Sequence, residues 1–110
     1  MDIAIINYGV SNLYSVQNAL KKINVNSIIT NDNDTILNSK VAILPGVGAF
    51  GEAMNKINSL KLDYTIMKFI DSGKPFISIC LGMHLLFEES CEFGMNKGLG
   101  ILKGHVKLLF

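Results

Sequence analysis

The chain has 110 residues, a length that fits one compact domain and excludes a two-domain enzyme with both substrate sites in this chain. Hydrophobic residues make up 49% of the sequence and charged residues only 17%, which excludes a disordered or low-complexity chain. Ten lysines and arginines oppose nine acidic residues, and the net charge of +1 is not gathered into a basic run, so we expect no nucleic-acid partner.

We also expect no membrane span, metal or cofactor. Met1–Asn7 lacks the basic region and cleavage site of a signal peptide, which predicts a cytoplasmic protein. The longest apolar stretch, Phe76–Phe87, is interrupted by polar residues and is too short to cross a bilayer as a helix. Cys80 and Cys91 form no CxxC pair, and a cytosolic setting would keep them reduced, so neither a disulfide nor a zinc site is predicted.

The first half of the chain predicts three strands separated by helices. Ile3–Ile6 is continuously apolar and β-branched, as in a strand covered on both faces. Ser11 or Asn12 can cap a helix whose apolar residues keep three-to-four spacing from Leu13 to Ile23. There follow a strand near Val25–Thr30, a short helix near Thr35–Asn38 and a strand at Val41–Leu44.

The second half predicts helices on both sides of a fourth strand. Ala49–Leu60 and Tyr64–Ile70 have helical patterns, and Gly73 ends the second helix in the position that favours a left-handed residue. Phe76–Ile79 is the predicted fourth strand, and Leu81–Phe87 is predicted as a helix that is buried because it is apolar nearly all round.

The last part of the chain is polar and punctuated by glycines. Glu88, Glu89 and Glu92 follow the predicted helix and are interpreted as a solvated face rather than as paired catalytic carboxylates. His105 is interpreted as structural, and Ile101–Phe110 predicts one or two short strands.

Strands that alternate with helices predict an α/β fold, a flavodoxin-like, doubly wound and mainly parallel sheet with strand order 2-1-3-4. Because the four strands point the same way, the segments Gly9–Asn12, Pro45–Gly48 and Cys80–Gly82 should emerge together at the carboxyl edge. Open α/β sheets bind their ligands at this edge. The functional residues are therefore expected there.

The strongest chemical signal is a nucleophile elbow around Cys80. Ser78-Ile79-Cys80-Leu81-Gly82 predicts a strand, a nucleophile on a tight turn and then a helix, whose N-terminus would favour the thiolate. The backbone N–H of Leu81 would point at a developing oxyanion. The alternative is that Cys80 only fills a buried position, as free cysteines often do.

A second signal is the glycine-rich segment that leaves the third strand. Pro45–Gly51 holds three glycines, so its backbone can approach a ligand and its N–H groups can complete an oxyanion hole. A dinucleotide or phosphate site is the weaker interpretation, because this GxGxxG pattern does not follow the first strand and has no Walker lysine.

Several segments of the chain together resemble one known family. They are Asn7-Tyr8-Gly9 with Asn12-Leu13, Leu44-Pro45-Gly46-Val47-Gly48-Ala49-Phe50-Gly51, Gly73-Lys74-Pro75, Ile79-Cys80-Leu81-Gly82-Met83, Leu85-Leu86-Phe87-Glu88 and Glu92-Phe93-Gly94. In this order they resemble the class I glutamine amidotransferases, and more narrowly the glutaminase subunits of imidazole glycerol phosphate synthase. The resemblance runs the length of the chain.

The resemblance implies hydrolysis of glutamine to glutamate and ammonia through a glutamyl thioester on Cys80. It places the oxyanion hole at the N–H of Leu81 and at an N–H of the glycine loop, from Val47 or Gly48. It also implies that ammonia passes through a buried route to a barrel-shaped cyclase subunit in a heterodimer of histidine biosynthesis. Asn12 matches a family position at that subunit interface.

Glutamine itself is implied to bind beside Gly46, Gly48 and His84. The family has a glutamine where this chain has His84, and an imidazole cannot reproduce the paired donor and acceptor of an amide. The alternative for His84 is a packed histidine on a buried helix.

Family members are nearly twice as long as this chain, and their triad histidine and glutamate lie in the second half. We therefore interpret residues 1–110 as the N-terminal part of an amidotransferase domain whose C-terminal half is missing, and we expect this part alone to be inactive and prone to aggregate. Two alternatives stay open: a paralogous amidotransferase of amino-sugar and surface-polysaccharide synthesis, and an inactive, truncated interaction module.

Overall fold

The computed structural model describes residues 2–9, 13–46, 50–79, 84–90 and 96–106. Within these ranges the elements are, in chain order, β1 (Ile3–Ile6), α1 (Leu13–Lys22), β2 (Ser27–Thr30), α2 (Asn33–Asn38), β3 (Val41–Leu44), α3 (Phe50–Ser59), α4 (Leu62–Asp71), β4 (Phe76–Ser78), β5 (Phe87–Ser90), β6 (Asn96–Lys97) and β7 (Leu102–Val106). No helix among these residues is both long enough and apolar enough to span a bilayer.

The first four strands form one parallel sheet in the order β2-β1-β3-β4. Ile3 pairs with Ser27 on one side and with Val41 on the other, so β1 and β3 occupy the centre. The predicted flavodoxin-like order is confirmed. The apolar runs that predicted these strands are continuous because both faces of the central strands are covered.

Helices cover the two faces of the sheet unequally. Against α2, α3 and α4 lies the larger core cluster, which includes Ala4, Ile6, Leu44, Phe50, Ile57, Ile66 and Phe69. The opposite face carries a small cluster of Ile5, Leu13 and Ile43, with Val16 and Leu20 of α1 packed against it. Residues of β1 alternate between the two clusters, as the pleat of a strand requires.

An apolar groove of about 420 Å³ remains open on the α1 face. Its lining includes Val16, Ala19 and Leu20 from α1 and Ile43, Ile77 and Ile79 from the sheet side. Ile77 is 46% exposed and Ile79 is 38% exposed, although both sit beside the central strands. This part of the sheet therefore presents apolar side chains to solvent.

The short helix α2 is capped at its N-terminus by Asp32. The Asp32 carboxylate accepts hydrogen bonds from the backbone N–H and the hydroxyl of Thr35, at 3.0 and 2.6 Å. These hydrogen bonds hold the pKa of Asp32 below its usual value, and the bond from the hydroxyl has the larger effect.

Beyond α4, Gly73 adopts the predicted left-handed conformation with a φ of 82°.

The prediction of a helix up to Phe87 is wrong. His84 is helical, but Leu85 and Leu86 form a turn and Phe87 begins β5, so Glu88 and Glu89 lie in a strand. The carbonyl oxygens of Leu85 and Leu86 accept hydrogen bonds from Leu99 and Leu102 at 2.8 Å. In a longer helix these two carbonyls would accept from the N–H groups four residues ahead. Here they accept from the distant residues instead, and the helix does not continue.

The last described elements form a second sheet in the order β6-β5-β7, with β5 antiparallel to β6 and parallel to β7. The strand predicted within Ile101–Phe110 is confirmed over Leu102–Val106. One smaller prediction fails near α1: Ile23 continues the apolar spacing, yet the helix ends at Lys22 and Ile23 is 67% exposed.

Candidate active site

Three strands of the parallel sheet end side by side at its carboxyl edge. Leu44, the last residue of β3, pairs with Ser78, the last residue of β4. Beyond that pair, the N–H of Ile79 donates to the carbonyl oxygen of Leu44 at 3.0 Å. The chain is therefore held against β3 up to the residue that precedes Cys80.

The glycine-rich segment begins in a buried position. Pro45 and Gly46 are both buried, and the hydroxyl of Tyr8 donates a 2.6 Å hydrogen bond to the carbonyl oxygen of Pro45. Burial raises the pKa of Tyr8 to about 12, so the phenol stays protonated and remains a donor at neutral pH. At the far end, α3 begins at Phe50, which is also buried.

The segment after β1 is also attached to α3. Gly9 has a φ of 93°, a conformation that favours glycine, and its carbonyl oxygen accepts a 3.2 Å hydrogen bond from Lys56 Nζ. Lys56 also pairs with Glu52 one turn earlier, at 3.6 Å. Through Lys56, the helix that follows the glycine loop contacts the end of β1.

Of the predicted site residues, Gly46 and His84 lie in the described part of the chain. Gly46 is buried at the carboxyl edge of β3, and His84 is half-buried next to Leu85, which is fully buried. The others lie outside the described residues: Cys80, Leu81, Val47, Gly48 and Asn12. The roles assigned to all of these residues stay predictions, including both interpretations of His84.

Within the described ranges, no three His, Cys, Asp or Glu side chains are grouped so that they could hold a metal ion. The hydroxyl of Ser78 is buried and makes no hydrogen bond to the part of the chain that the structure describes. Ser78 therefore ends β4 as a small residue that carries one polar atom into the interior.

Sequence reasoning missed two residues that shape this edge, Tyr8 and Lys56. The sequence offers one signal for Tyr8, because a tyrosine that follows a buried strand usually needs a partner for its hydroxyl. Lys56 gave no such signal, because it lies on a helix surface and contacts a residue 47 positions away in sequence.

The parallel sheet and its carboxyl edge define an α/β protein of the flavodoxin-like kind. Comparison with known sequences identifies its family. The family model of glutamine amidotransferase class-I matches residues 4–106. The chain belongs to this family.

Individual relatives make the likeness more specific. Imidazole glycerol phosphate synthase subunit HisH from Aquifex aeolicus (strain VF5) is 47% identical over 110 residues, covering 99% of this chain and 53% of that protein. The subunit of the same name from Oceanobacillus iheyensis is 50% identical over 105 residues, covering 96% of this chain and 52% of that protein. The chain spans about half the length of the curated relatives it matches.

A solved structure supports the fold independently of close sequence similarity. The crystal structure of a glutamine amidotransferase superposes with a TM-score of 0.78 at 17% identity, over 94% of this chain and 55% of that one. The agreement confirms the predicted flavodoxin-like class I amidotransferase fold.

Proposed function

We propose that this chain carries the nucleophile of a glutaminase that supplies ammonia to an imidazole glycerol phosphate synthase. The observation that carries the proposal is the pairing of Ile79 with Leu44, since it brings the residue before Cys80 to the strand from which the glycine loop leaves. The family model of glutamine amidotransferase class-I supports glutamine as the substrate, and the relatives named as imidazole glycerol phosphate synthase subunits support that synthase as the recipient of the ammonia. We propose histidine biosynthesis as the setting.

The proposed reaction begins with attack of the Cys80 thiolate on the side-chain carboxamide carbon of glutamine. The negative charge that develops on the carboxamide oxygen is stabilised by N–H groups of Leu81 and of Val47 or Gly48. Collapse of the tetrahedral intermediate breaks the carbon–nitrogen bond, and the nitrogen leaves as ammonia after taking up a proton. Water then hydrolyses the thioester, which releases glutamate and restores the thiol.

A general base is needed for both steps, and we propose that it belongs to the second half of the family domain, which residues 1–110 do not span. The domain is thus formed from this chain together with a complementary half, in one polypeptide or in two. The complete subunit acts in the cytoplasm, needs no cofactor, and forms a heterodimer with a barrel-shaped cyclase, with Asn12 at the interface.

The test combines this chain with the half of the Aquifex aeolicus subunit that it does not match, and with the cyclase subunit. We expect glutamate to be released from glutamine and Cys80→Ala to reduce the rate by at least about 10⁴-fold, as for loss of other catalytic nucleophiles. Cys91→Ala is the matched control, since it removes a cysteine that has no proposed role. Equal loss in both variants, or activity in Cys80→Ala, would contradict the proposal.

Covalent labelling provides a second, independent measurement. A diazoketone analogue of glutamine alkylates an activated thiol in a glutamine site, so peptide mass spectrometry should find the adduct on Cys80 and not on Cys91. Labelling of both cysteines at equal rates would indicate ordinary thiol reactivity.

The second candidate function is a noncatalytic module that binds the synthase. In that case Cys80→Ala would leave turnover of glutamine by the partner unchanged while affinity for the cyclase persists. For the amino-sugar paralogue, His84 in place of glutamine is the supporting observation, whereas the names of the relatives support an imidazole glycerol phosphate synthase.

A further inference from the structure

We propose that Tyr8 is a positioning residue that fixes the Pro45–Gly46 peptide group, so that the Gly46 N–H is held as a donor toward bound glutamine. The proposal rests on the proposed function, because it assigns Gly46 to the glutamine site. It adds a residue that acts through the peptide backbone and does not itself touch the substrate.

The hydrogen bond between Tyr8 and Pro45 lies just past the ends of two neighbouring strands. Tyr8 lies two residues past the end of β1, and Pro45 lies one residue past the end of β3, its neighbour in the sheet. Tyr8 is only 1% exposed, and its hydroxyl reaches the Pro45 carbonyl at 2.6 Å. The bond therefore extends the pairing of two adjacent strands beyond the point where backbone hydrogen bonds end.

The same hydrogen bond fixes the direction of the Pro45–Gly46 peptide group. The structure has no cis peptide bond among its described residues, so the Pro45 carbonyl and the Gly46 N–H point in opposite directions. The preceding carbonyl, that of Leu44, faces β4 and accepts from Ile79, whereas the Pro45 carbonyl accepts from the Tyr8 hydroxyl. Because successive peptide groups along a strand point to opposite sides, we place the Gly46 N–H on the β4 side, where Ile79 leads into Cys80.

The hydrogen bond from Tyr8 also stabilises and polarises this peptide group. Because the Pro45 carbonyl is buried, loss of the Tyr8 hydroxyl would leave it without a hydrogen-bond partner. An unsatisfied buried polar group lowers the free energy of unfolding. A hydrogen bond accepted by a carbonyl also polarises the N–H of the same peptide group, which strengthens it as a donor. Tyr8 thus fixes both the orientation and the donor strength of the Gly46 N–H.

A second contact restrains the other end of the glycine loop. Lys56, on the helix that begins at Phe50, donates to the carbonyl oxygen of Gly9 at 3.2 Å. Both ends of the loop are therefore connected to the dipeptide Tyr8-Gly9, one through the Tyr8 hydroxyl and the other through α3. A displacement of this dipeptide would shift Pro45 and α3 together.

The hydrogen bond can be tested in this chain by carbon-13 NMR of the proline carbonyls. The chain has two prolines, and Pro45 is the one followed by glycine, so carbon-13 proline with nitrogen-15 glycine assigns its resonance. We expect Tyr8→Phe to move the Pro45 resonance. The Pro75 carbonyl accepts from Ala42 at 3.3 Å, and its resonance should stay in place and report an intact sheet.

The matched control for the spectrum is Tyr64→Phe, which removes the hydroxyl of a tyrosine that is 67% exposed on α4. It should move neither proline resonance. An unchanged Pro45 resonance in Tyr8→Phe would show that the hydrogen bond does not form in solution and would overturn the proposal.

Kinetics of the chain combined with its complementary half and the cyclase then separate positioning from a merely structural role. We expect Tyr8→Phe to raise the KM for glutamine about tenfold and to change kcat less than about twofold, as when a binding contact is lost. Partial unfolding would instead lower kcat at constant KM, and that result would overturn the proposal. A wild type without glutaminase activity overturns the proposed function, whereas the Pro45 resonance still decides whether Tyr8 holds the peptide.

Discussion

The Nζ atom of Lys74 lies 2.6 Å from the carbonyl oxygen of Leu37 and 2.9 Å from that of Ser39. Helix α2 ends between these two residues, so the lysine donates to carbonyls at the negative end of the helix. Lys74 also lies over the ring of Phe69, 4.8 Å from its centroid. One side chain thus connects α2, α4 and the start of β4.

Replacing this lysine should therefore destabilise the fold. We expect Lys74→Met to lower the free energy of unfolding by about 2 kcal/mol, because two part-buried carbonyls lose a charged donor while the aliphatic packing is retained. Lys40→Met is the matched control, since Lys40 is exposed and only pairs with Asp2 at 3.6 Å; it should cost less than about 0.5 kcal/mol. Denaturant titrations that give equal losses would contradict this assignment.

Gly98 should tolerate no side chain, for steric reasons alone. A Cβ atom there would overlap the carbonyl oxygen of Phe87 and lie 2.7 Å from the Phe50 ring. We expect Gly98→Ala to lower the free energy of unfolding by about 3 kcal/mol, at the upper end of the range for overpacking, because the clashing oxygen belongs to the backbone.

Gly100→Ala separates this clash from the strain of a left-handed residue. Gly100 has a φ of 70°, and a Cβ there would meet nothing within 4 Å, so alanine should cost only about 1 kcal/mol. Thermal or denaturant unfolding of the two variants measures the difference. If the two losses were equal, the close approach of Gly98 to Phe87 would not be rigid.

The sequence predicts the parallel sheet well because its signal is local. Ile3–Ile6 and Val41–Leu44 are short, continuous apolar runs between turn residues, and the structure confirms their bounds. The predicted helix through Phe87 fails because Leu85 and Leu86 are bonded by residues 99 and 102. The spacing of apolar residues in a sequence predicts helical periodicity. It carries no information about hydrogen bonds from a distant segment to the backbone carbonyls.

At the candidate site, the order of the strands can be predicted from the sequence, whereas contacts between distant side chains cannot. The placement of the carboxyl ends of β1, β3 and β4 at one edge follows from strand direction and order, so the sequence suffices to predict it. The contacts of Tyr8 with Pro45 and of Lys56 with Gly9 each join residues more than 30 positions apart. They depend on the distance between packed elements, which no local pattern specifies.

Tyr8 should make the free energy of unfolding fall as the pH rises in the alkaline range. Burial raises its pKa to about 12 in the folded chain, against 10.0 for an ordinary tyrosine. The contribution of Tyr8 to the free energy of unfolding is fully present below about pH 10 and is lost as the pH rises toward 12. The reason is that the phenol loses its proton at a lower pH in the unfolded chain than in the folded chain. The difference in free energy of unfolding between wild type and Tyr8→Phe should therefore narrow over this range.

Denaturant titrations of both proteins between pH 8 and pH 11.5 measure this difference, and other groups that titrate in this range cancel between them. Tyr64→Phe controls for the loss of one phenol from the unfolded chain. A difference that stays constant with pH would mean that the Tyr8 hydroxyl is not buried in solution.

The open groove on the α1 face should drive self-association of this chain. Ile77 and Ile79 are neighbours of Val16, Ala19 and Leu20 in one continuous apolar surface, and continuous apolar patches promote association more than scattered residues do. We expect concentration-dependent association at micromolar concentration in sedimentation velocity, and a shift toward monomer in Ile77→Glu.

The matched control is Ile23→Glu, which places the same charge at an isoleucine that is more exposed, 67% against 46%, but does not line the groove. If exposure alone governed association, Ile23→Glu would have the larger effect. We expect the reverse, because burying Ile77 also buries its apolar neighbours and the free energy gained grows with that shared area. A wild-type chain that sediments as a monomer, or two variants with equal effects, would show that the groove is not the associating surface.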